Sequence, residues 1–175
     1  MPHHRHHPEK KSFAMHGGRP RRMFRRHAFF FLLILAVTLM ATQAQAEICG
    51  YPEKGTLVVY RGDHVVANFQ VALAETRDQY RKGLMGCRRI TSGTGLLFIY
   101  PDGHQRVFWM KNTPLELAII FASPGGQIMA IAEGHPNSTR RIRSPDNIQY
   151  VLEINYAEAD QLHIGDRFAL RLIPR

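Results

Sequence analysis

In Val65-Val66-Ala67-Asn68-Phe69-Gln70-Val71-Ala72-Leu73-Ala74, the residues Val65, Ala67, Phe69, Val71 and Leu73 fall on one face of an extended chain. That period of two is the signature of a strand with one face on a core. Arg61-Gly62-Asp63 precedes it with hairpin-turn chemistry, and residues 56–60 supply a partner strand.

The same grammar continues toward the C-terminus. Residues 95–100 read as a strand ending in the turn Pro101-Asp102-Gly103, and 106–111 as the next. Pro114 pushes Thr113 into an extended conformation and interrupts the ladder. Residues 115–122 resume it, with Leu115, Leu117, Ile119 and Phe121 on one face. Ser123-Pro124-Gly125-Gly126 turns the chain into a strand over 127–132. Residues 133–147 are loop-like and bring Arg140, Arg141 and Arg143 close together in sequence. Strands at 149–156 and 167–172 flank a short helix at 157–162. The other helix starts at Thr76, where Thr76-Arg77-Asp78-Gln79 fits a capping box, and runs to about Met85 with Gly86 as its stop. Tyr80, Leu84 and Cys87 share its core side. Short strands, even spacing and tight turns give a mainly β fold, a single antiparallel β-sandwich or partly open barrel with two short helices. No internal repeat or second domain is present; the β-rich domain spans 56–175, after a short segment at 47–55.

The 175 residues carry a formal charge of +9, but the excess lies at one end. Residues 1–46 hold eight Lys/Arg and one acid; residues 47–175 hold 15 Lys/Arg and 13 acids. A near-neutral domain has little long-range pull on a polyanion, so no nucleic-acid partner is expected. Residues 1–46 read as a leader with a secretory signal peptide. Its cationic stretch runs from Arg19 to Arg26, an apolar run follows from Ala28 to Ala41, and Ala44-Gln45-Ala46 offers a cleavage pattern. Met23 gives a start of ordinary leader length, and the tract His3, His4, His6 and His7 before it is assigned no function. The apolar run falls short of the ~20 residues of a membrane span, so no anchor is expected after cleavage. The domain is expected in the periplasm or outside the cell. There, the pair Cys49 and Cys87 is expected to form one disulfide.

Residues that break the strand pattern mark the candidate site. In Val107-Phe108-Trp109-Met110-Lys111-Asn112-Thr113-Pro114, Phe108 and Met110 face one way and Val107, Trp109 and Lys111 the other. Glu116 begins an otherwise apolar strand. Glu153 sits in Tyr150-Val151-Leu152-Glu153-Ile154, opposite in face to Leu152 and Ile154. A carboxylate in such company is costly to bury alone, and Lys111, Arg81 and Arg88 are its candidate partners. A structural polar cluster and a binding or acid/base site both fit this pattern. No nucleophile elbow, phosphate-binding glycine loop or dinucleotide fingerprint occurs, and no cofactor is expected. The four histidines of the domain are far apart and no Cys-x-x-Cys exists, so no metal site is expected. Met85, Met110 and Met129 could offer thioethers to Cu(I), against the commoner role of Met as core filler.

Four blocks carry a resemblance: Arg81-Lys82-Gly83-Leu84-Met85, Thr94-Gly95-Leu96-Leu97-Phe98, Phe108-Trp109-Met110-Lys111-Asn112-Thr113 with Pro114-Leu115-Glu116, and Tyr150-Val151-Leu152-Glu153-Ile154. In this order they resemble the signature blocks of domain-of-unknown-function family 192, also called uncharacterised protein family 0127, over residues 56–172. Glu116 stands where that family usually has Asp, and Leu96 where it often has Met. The resemblance implies a compact β-sandwich or barrel-like fold, often exported, and brings no activity. It points to the same cluster: Arg81, Trp109, Lys111, Asn112, Thr113, Glu116 and Glu153.

The leading expectation is a binding or envelope accessory module. Trp109 would stack on a small polar ligand, such as a saccharide, with Arg81, Lys111, Asn112, Thr113 and Glu153 orienting it. The alternatives are a hydrolase using Glu116 and Glu153 as acid and base, or copper handling through the methionines and a histidine.

Overall fold

The structure is a computed structural model and describes residues 46–173. The leader expected over residues 1–46 lies, but for Ala46, outside them. The chain order is β1 (Glu47–Ile48), β2 (Tyr51–Arg61), β3 (His64–Ala74), α1 (Arg77–Lys82), β4 (Thr94–His104), β5 (Val107–Phe108), β6 (Leu117–Ala122), β7 (Ile128–Gly134), β8 (Ile142–Arg143), β9 (Ile148–Asn155), a 3-10 helix (Tyr156–Gln161) and β10 (Arg167–Leu172). The fold is mainly β with two short helices. The principal sheet runs β1-β2-β3-β4-β9-β6-β7, with β10 also pairing β2; β5 and β8 form a separate two-stranded ribbon. One bridge, Gln127↔Arg167, brings the β7 end to β10, and Phe168 N–H donates to the Gly126 carbonyl at 2.8 Å. The sheet therefore curls toward a barrel but stays open.

Pairing is antiparallel except between β3 and β4, which run parallel. Residues 75–93 form the crossover that parallel neighbours require. Several bounds differ from the sequence reading. Residues 51–55 enter β2, Pro101-Asp102-Gly103 lies inside the span of β4 where its pairing with β9 is interrupted, and β5 is only two residues long.

Alternation sends the side chains of the central strands into two cores. Leu96, Phe98, Leu117, Ile119, Phe121 and Val151 face one; Leu97, Ala118, Ile120, Leu152 and Ile154 face the other. Full burial of each large apolar side chain stabilises by roughly 1.5–3 kcal/mol. The second core is the inside of the curled sheet. The first lies on its outer face, beneath α1, residues 83–93 and the β5–β8 ribbon. Gly95 lets β4 and β9 close on each other, since a Cβ there would lie 2.7 Å from the Glu153 carbonyl oxygen. Cys49 and Cys87 are joined by a disulfide with Cα atoms 5.5 Å apart, tying the β1–β2 turn to the segment after α1. Buried Asp166 accepts Arg61 Nε and Nη2, both at 2.9 Å, and the His163 N–H at 2.8 Å. The Arg61 hydrogen bonds hold its carboxyl below the usual carboxylate range.

Helix α1 forms where the capping box placed its start. Thr76 Oγ1 accepts from Gln79 N–H, and Gln79 Oε1 accepts from Thr76 N–H at 3.0 Å. It ends at Lys82, one turn earlier than Gly86 suggested, because Gly83 takes a positive φ of 47°. Thr76→Ala is expected to cost about 1 kcal/mol, read as a lower urea midpoint at unchanged m-value. An unchanged midpoint would mean the box contributes nothing to so short a helix.

Candidate functional site

The outer core is not sealed. A cavity of about 380 Å³ opens between α1 and the β5 ribbon, within the size range of small-molecule sites. One wall is Tyr80, Gly83, Leu84 and Met85; the other is Val107, Phe108 and Trp109. Phe98 and Tyr100 of β4 lie behind, with Phe98 edge-on to Phe108 at a centroid distance of 5.2 Å. Arg106 stacks on Tyr100, its guanidinium 3.9 Å from the ring centre. Burial raises the Tyr100 and Tyr80 hydroxyls above the usual phenol range, so both stay protonated. Tyr80 donates to the Ile99 carbonyl, which fixes α1 on β4.

Glu153 occupies the buried end. It pairs Leu96 across β4 and Ile119 across β6, so its side chain enters the outer core in the middle of the sheet. It is 5% exposed, and its Oε2 has no hydrogen-bond partner. Burial pushes its pKa up to about 8, so the carboxyl is mostly protonated at neutral pH. Gly83 of the α1 wall lies directly against it: a Cβ there would sit at ordinary contact distance, 3.7 Å, from Oε2. Tyr51 donates its hydroxyl to the Gly83 carbonyl at 3.1 Å and holds that wall.

Of the residues singled out in the sequence, Arg81, Trp109, Thr113 and Glu153 line this cavity. Trp109 is 45% exposed at the rim, with Lys111 Nζ 5.4 Å from its ring centre. Lys111 and Asn112 do not line the cavity. Asn112 takes a positive φ of 57°, and its carbonyl accepts from Gly86 N–H at 2.8 Å, bracing the wall from behind. The expected cation partners of Glu153 are a correction: Arg81 pairs Asp78, Lys111 lies by Trp109, and Arg88 is exposed. A retained proton, rather than an opposite charge, removes the cost of burying this acid.

Glu116 is exposed, opposite in strand parity to Ile119 and hence to Glu153, and does not line the cavity. The two glutamates share no site. The Glu116 carboxylate lies instead with Glu133 and His135, their ligand atoms all within 4.8 Å of one another. His135 Nδ1 is 3.0 Å from Glu133 Oε1. Among the described residues these three are the group able to hold a metal ion, a grouping the sequence reading missed because it treated the histidines separately. Of the three methionines, Met110 is fully buried against Gly134, Met129 is exposed and Met85 lines the cavity. The sequence reading also missed Tyr80, Lys82, Tyr100 and Arg141 as cavity residues. The cluster of arginines at 140–143 was the available signal for the last.

A family model described as DUF192, Uncharacterized ACR, matches residues 58–170. The chain belongs to this family. The cavity and Glu153 lie within the matched DUF192 region. No curated protein matches the sequence. Solved structures share the fold, among them the following two. A protein of unknown function from Novosphingobium aromaticivorans superposes with a TM-score of 0.66 at 26% identity, over 74% of this chain and 94% of that one. A protein from Sinorhizobium meliloti, provisionally described as a transcription regulator, gives 0.64 at 29% identity, over 71% and 98%.

Proposed function

We propose that this DUF192 domain is an exported accessory module that binds a small polar ligand, such as a saccharide, in the cavity ending at Glu153. One observation carries the reading. A buried carboxyl that donates to nothing in the chain, at the end of an open aromatic cavity, is a hydrogen-bonding group left for a guest. The neutral acid offers a donor and an acceptor, and the exposed ring of Trp109 offers an apolar platform. The leader pattern supports export, and the Cys49–Cys87 disulfide fits a non-cytoplasmic compartment. The paired-carboxylate hydrolase has no support in this arrangement, because Glu116 is not at the cavity.

The reading is tested by thermal-shift screening of sugars and cell-wall fragments. A ligand at 100 times its Kd should add about 2.7 kcal/mol to stability. Trp109→Ala and Glu153→Gln should each weaken binding roughly tenfold, the equivalent of about 1.4 kcal/mol. A panel that moves wild type no more than these variants would refute it.

A further inference from the structure

The cavity has a charge pattern that a neutral ligand would leave unused. Arg81, Lys82 and Arg141 line it, and the only acid that does so is Glu153 at its buried end. Asp78 pairs Arg81. Lys82 has no acid partner among the described residues; its Nζ lies 4.6 Å from the centre of the Tyr51 ring. Arg141 is exposed and makes no ion pair among the described residues. Lys111 adds a further positive charge beside Trp109. The mouth is thus cationic with two charges uncommitted, while the inner end is aromatic and apolar around one carboxyl.

That polarity sets both the class of guest and its direction of entry. An anionic group driven inward would meet Phe98, Leu84 and an acid, and would lose its hydration without a cation to replace it. At the mouth the same group meets a guanidinium whose planar fork matches a carboxylate or phosphate. The geometry points to a small organic anion as the ligand, its uncharged hydrogen-bonding end against Glu153 and its acidic group at the mouth with Arg141 and Lys82. This rests on the cavity reading above and narrows it, within saccharides, to acidic sugars.

Matched pairs of probes test it on the full chain: glucose against glucuronate, galactose against galacturonate, and N-acetylglucosamine against N-acetylmuramate, by calorimetry at 20 and 300 mM NaCl. In at least one pair the acid should bind tenfold or more tighter at low salt, with the gap narrowing at high salt. Arg141→Gln should remove most of that gap and Lys82→Gln part of it, whereas Glu153→Gln should weaken both members alike. Arg141 is exposed and unpaired, so its variant is expected to keep the wild-type far-ultraviolet spectrum and melting temperature, which separates lost affinity from lost fold. Neutral sugars that bind in a Glu153-dependent way as tightly as their acids would overturn the anion inference and leave the cavity reading intact. A gap unmoved by Arg141→Gln would overturn it too. Silence from all six probes would count against the cavity reading itself, and the inference would fall with it.

Discussion

Between pH 5 and 8 the protein is expected to lose stability at up to about 1.4 kcal/mol per pH unit, and Glu153→Gln to lose little. The folded Glu153 carboxyl titrates at about 8 because burial penalises its charged form, whereas the unfolded chain titrates near the ordinary value of 4.5. Between these values the unfolded state has released its proton and the native state has not. Native protein then binds more protons, so rising pH favours unfolding. The penalty is absent below the unfolded pKa and fully developed above the folded one; near pH 8 it is on the order of 4 kcal/mol. Other shifted groups act elsewhere. Asp102 and Asp166 are lowered by hydrogen bonds from Arg106 and Arg61, so their contribution is lost as pH falls below the ordinary aspartate range. Tyr51, Tyr80 and Tyr100 are raised by burial, so their window lies above the phenol range. Urea midpoints at half-unit steps, wild type minus Glu153→Gln, isolate the one group. Parallel profiles would mean the carboxyl is already ionised in the fold, and the donor at the end of the cavity would disappear with it.

That same residue shows how far the sequence could be read. Glu153 was visible as a charge in a run otherwise apolar, and the alternation through Val107–Met110 separated Phe108 and Met110, which the fold buries, from Trp109, which it leaves exposed. Strand parity is local, so it survives any topology. The state of Glu153 was not legible, because whether an acid finds a cation or keeps a proton depends on residues brought near it only by folding. Glu116 shows the complement. It too broke an apolar pattern, but it precedes β6 at a point where the chain has reached solvent. The parallel β3–β4 pair escaped period-two reading, which sees faces and not directions. The nineteen residues of 75–93, with a capped helix inside them, were the physical sign, since a hairpin needs far fewer. Arg141 reaches the cavity from a loop, with no periodicity from which a direction follows, whereas Tyr100 shares the strand parity of Leu96 and Phe98 and its direction was legible there.

Removing the Cys49–Cys87 crosslink, by reduction or by the double change Cys49→Ala and Cys87→Ala, is expected to cost about 4 kcal/mol. The bond joins residues 38 apart, and closing a loop of that length withdraws roughly this much chain entropy from the unfolded state. Guanidinium unfolding with and without reductant measures it. A difference below about 1 kcal/mol would show that the unfolded chain gains no freedom when the bond opens. Reduction and the alanine pair should agree, because alanine leaves no polar atom in the outer core. The loss is also expected to reach the cavity. Cys87 belongs to the same outer core as Ile48, Tyr51, Leu84 and Ile90, and Leu84 and Gly83 are cavity wall. With the crosslink gone, that wall is held by the Tyr51 hydroxyl on Gly83, the Tyr80 hydroxyl on Ile99, the Asn112 carbonyl on Gly86 and apolar contact. Amide exchange over residues 84–90 should therefore quicken more than in β6 or β9, where both sheet faces stay buried. A uniform increase would place the whole effect in the unfolded chain. Typical domains hold only 5–15 kcal/mol in total, so this crosslink and the proton on Glu153 each govern a large share. Both act next to Gly83, and their effects should not add. In the reduced protein the wall can retreat and let water reach Glu153, which would lower its pKa toward the ordinary range and flatten the pH dependence seen with the bond intact.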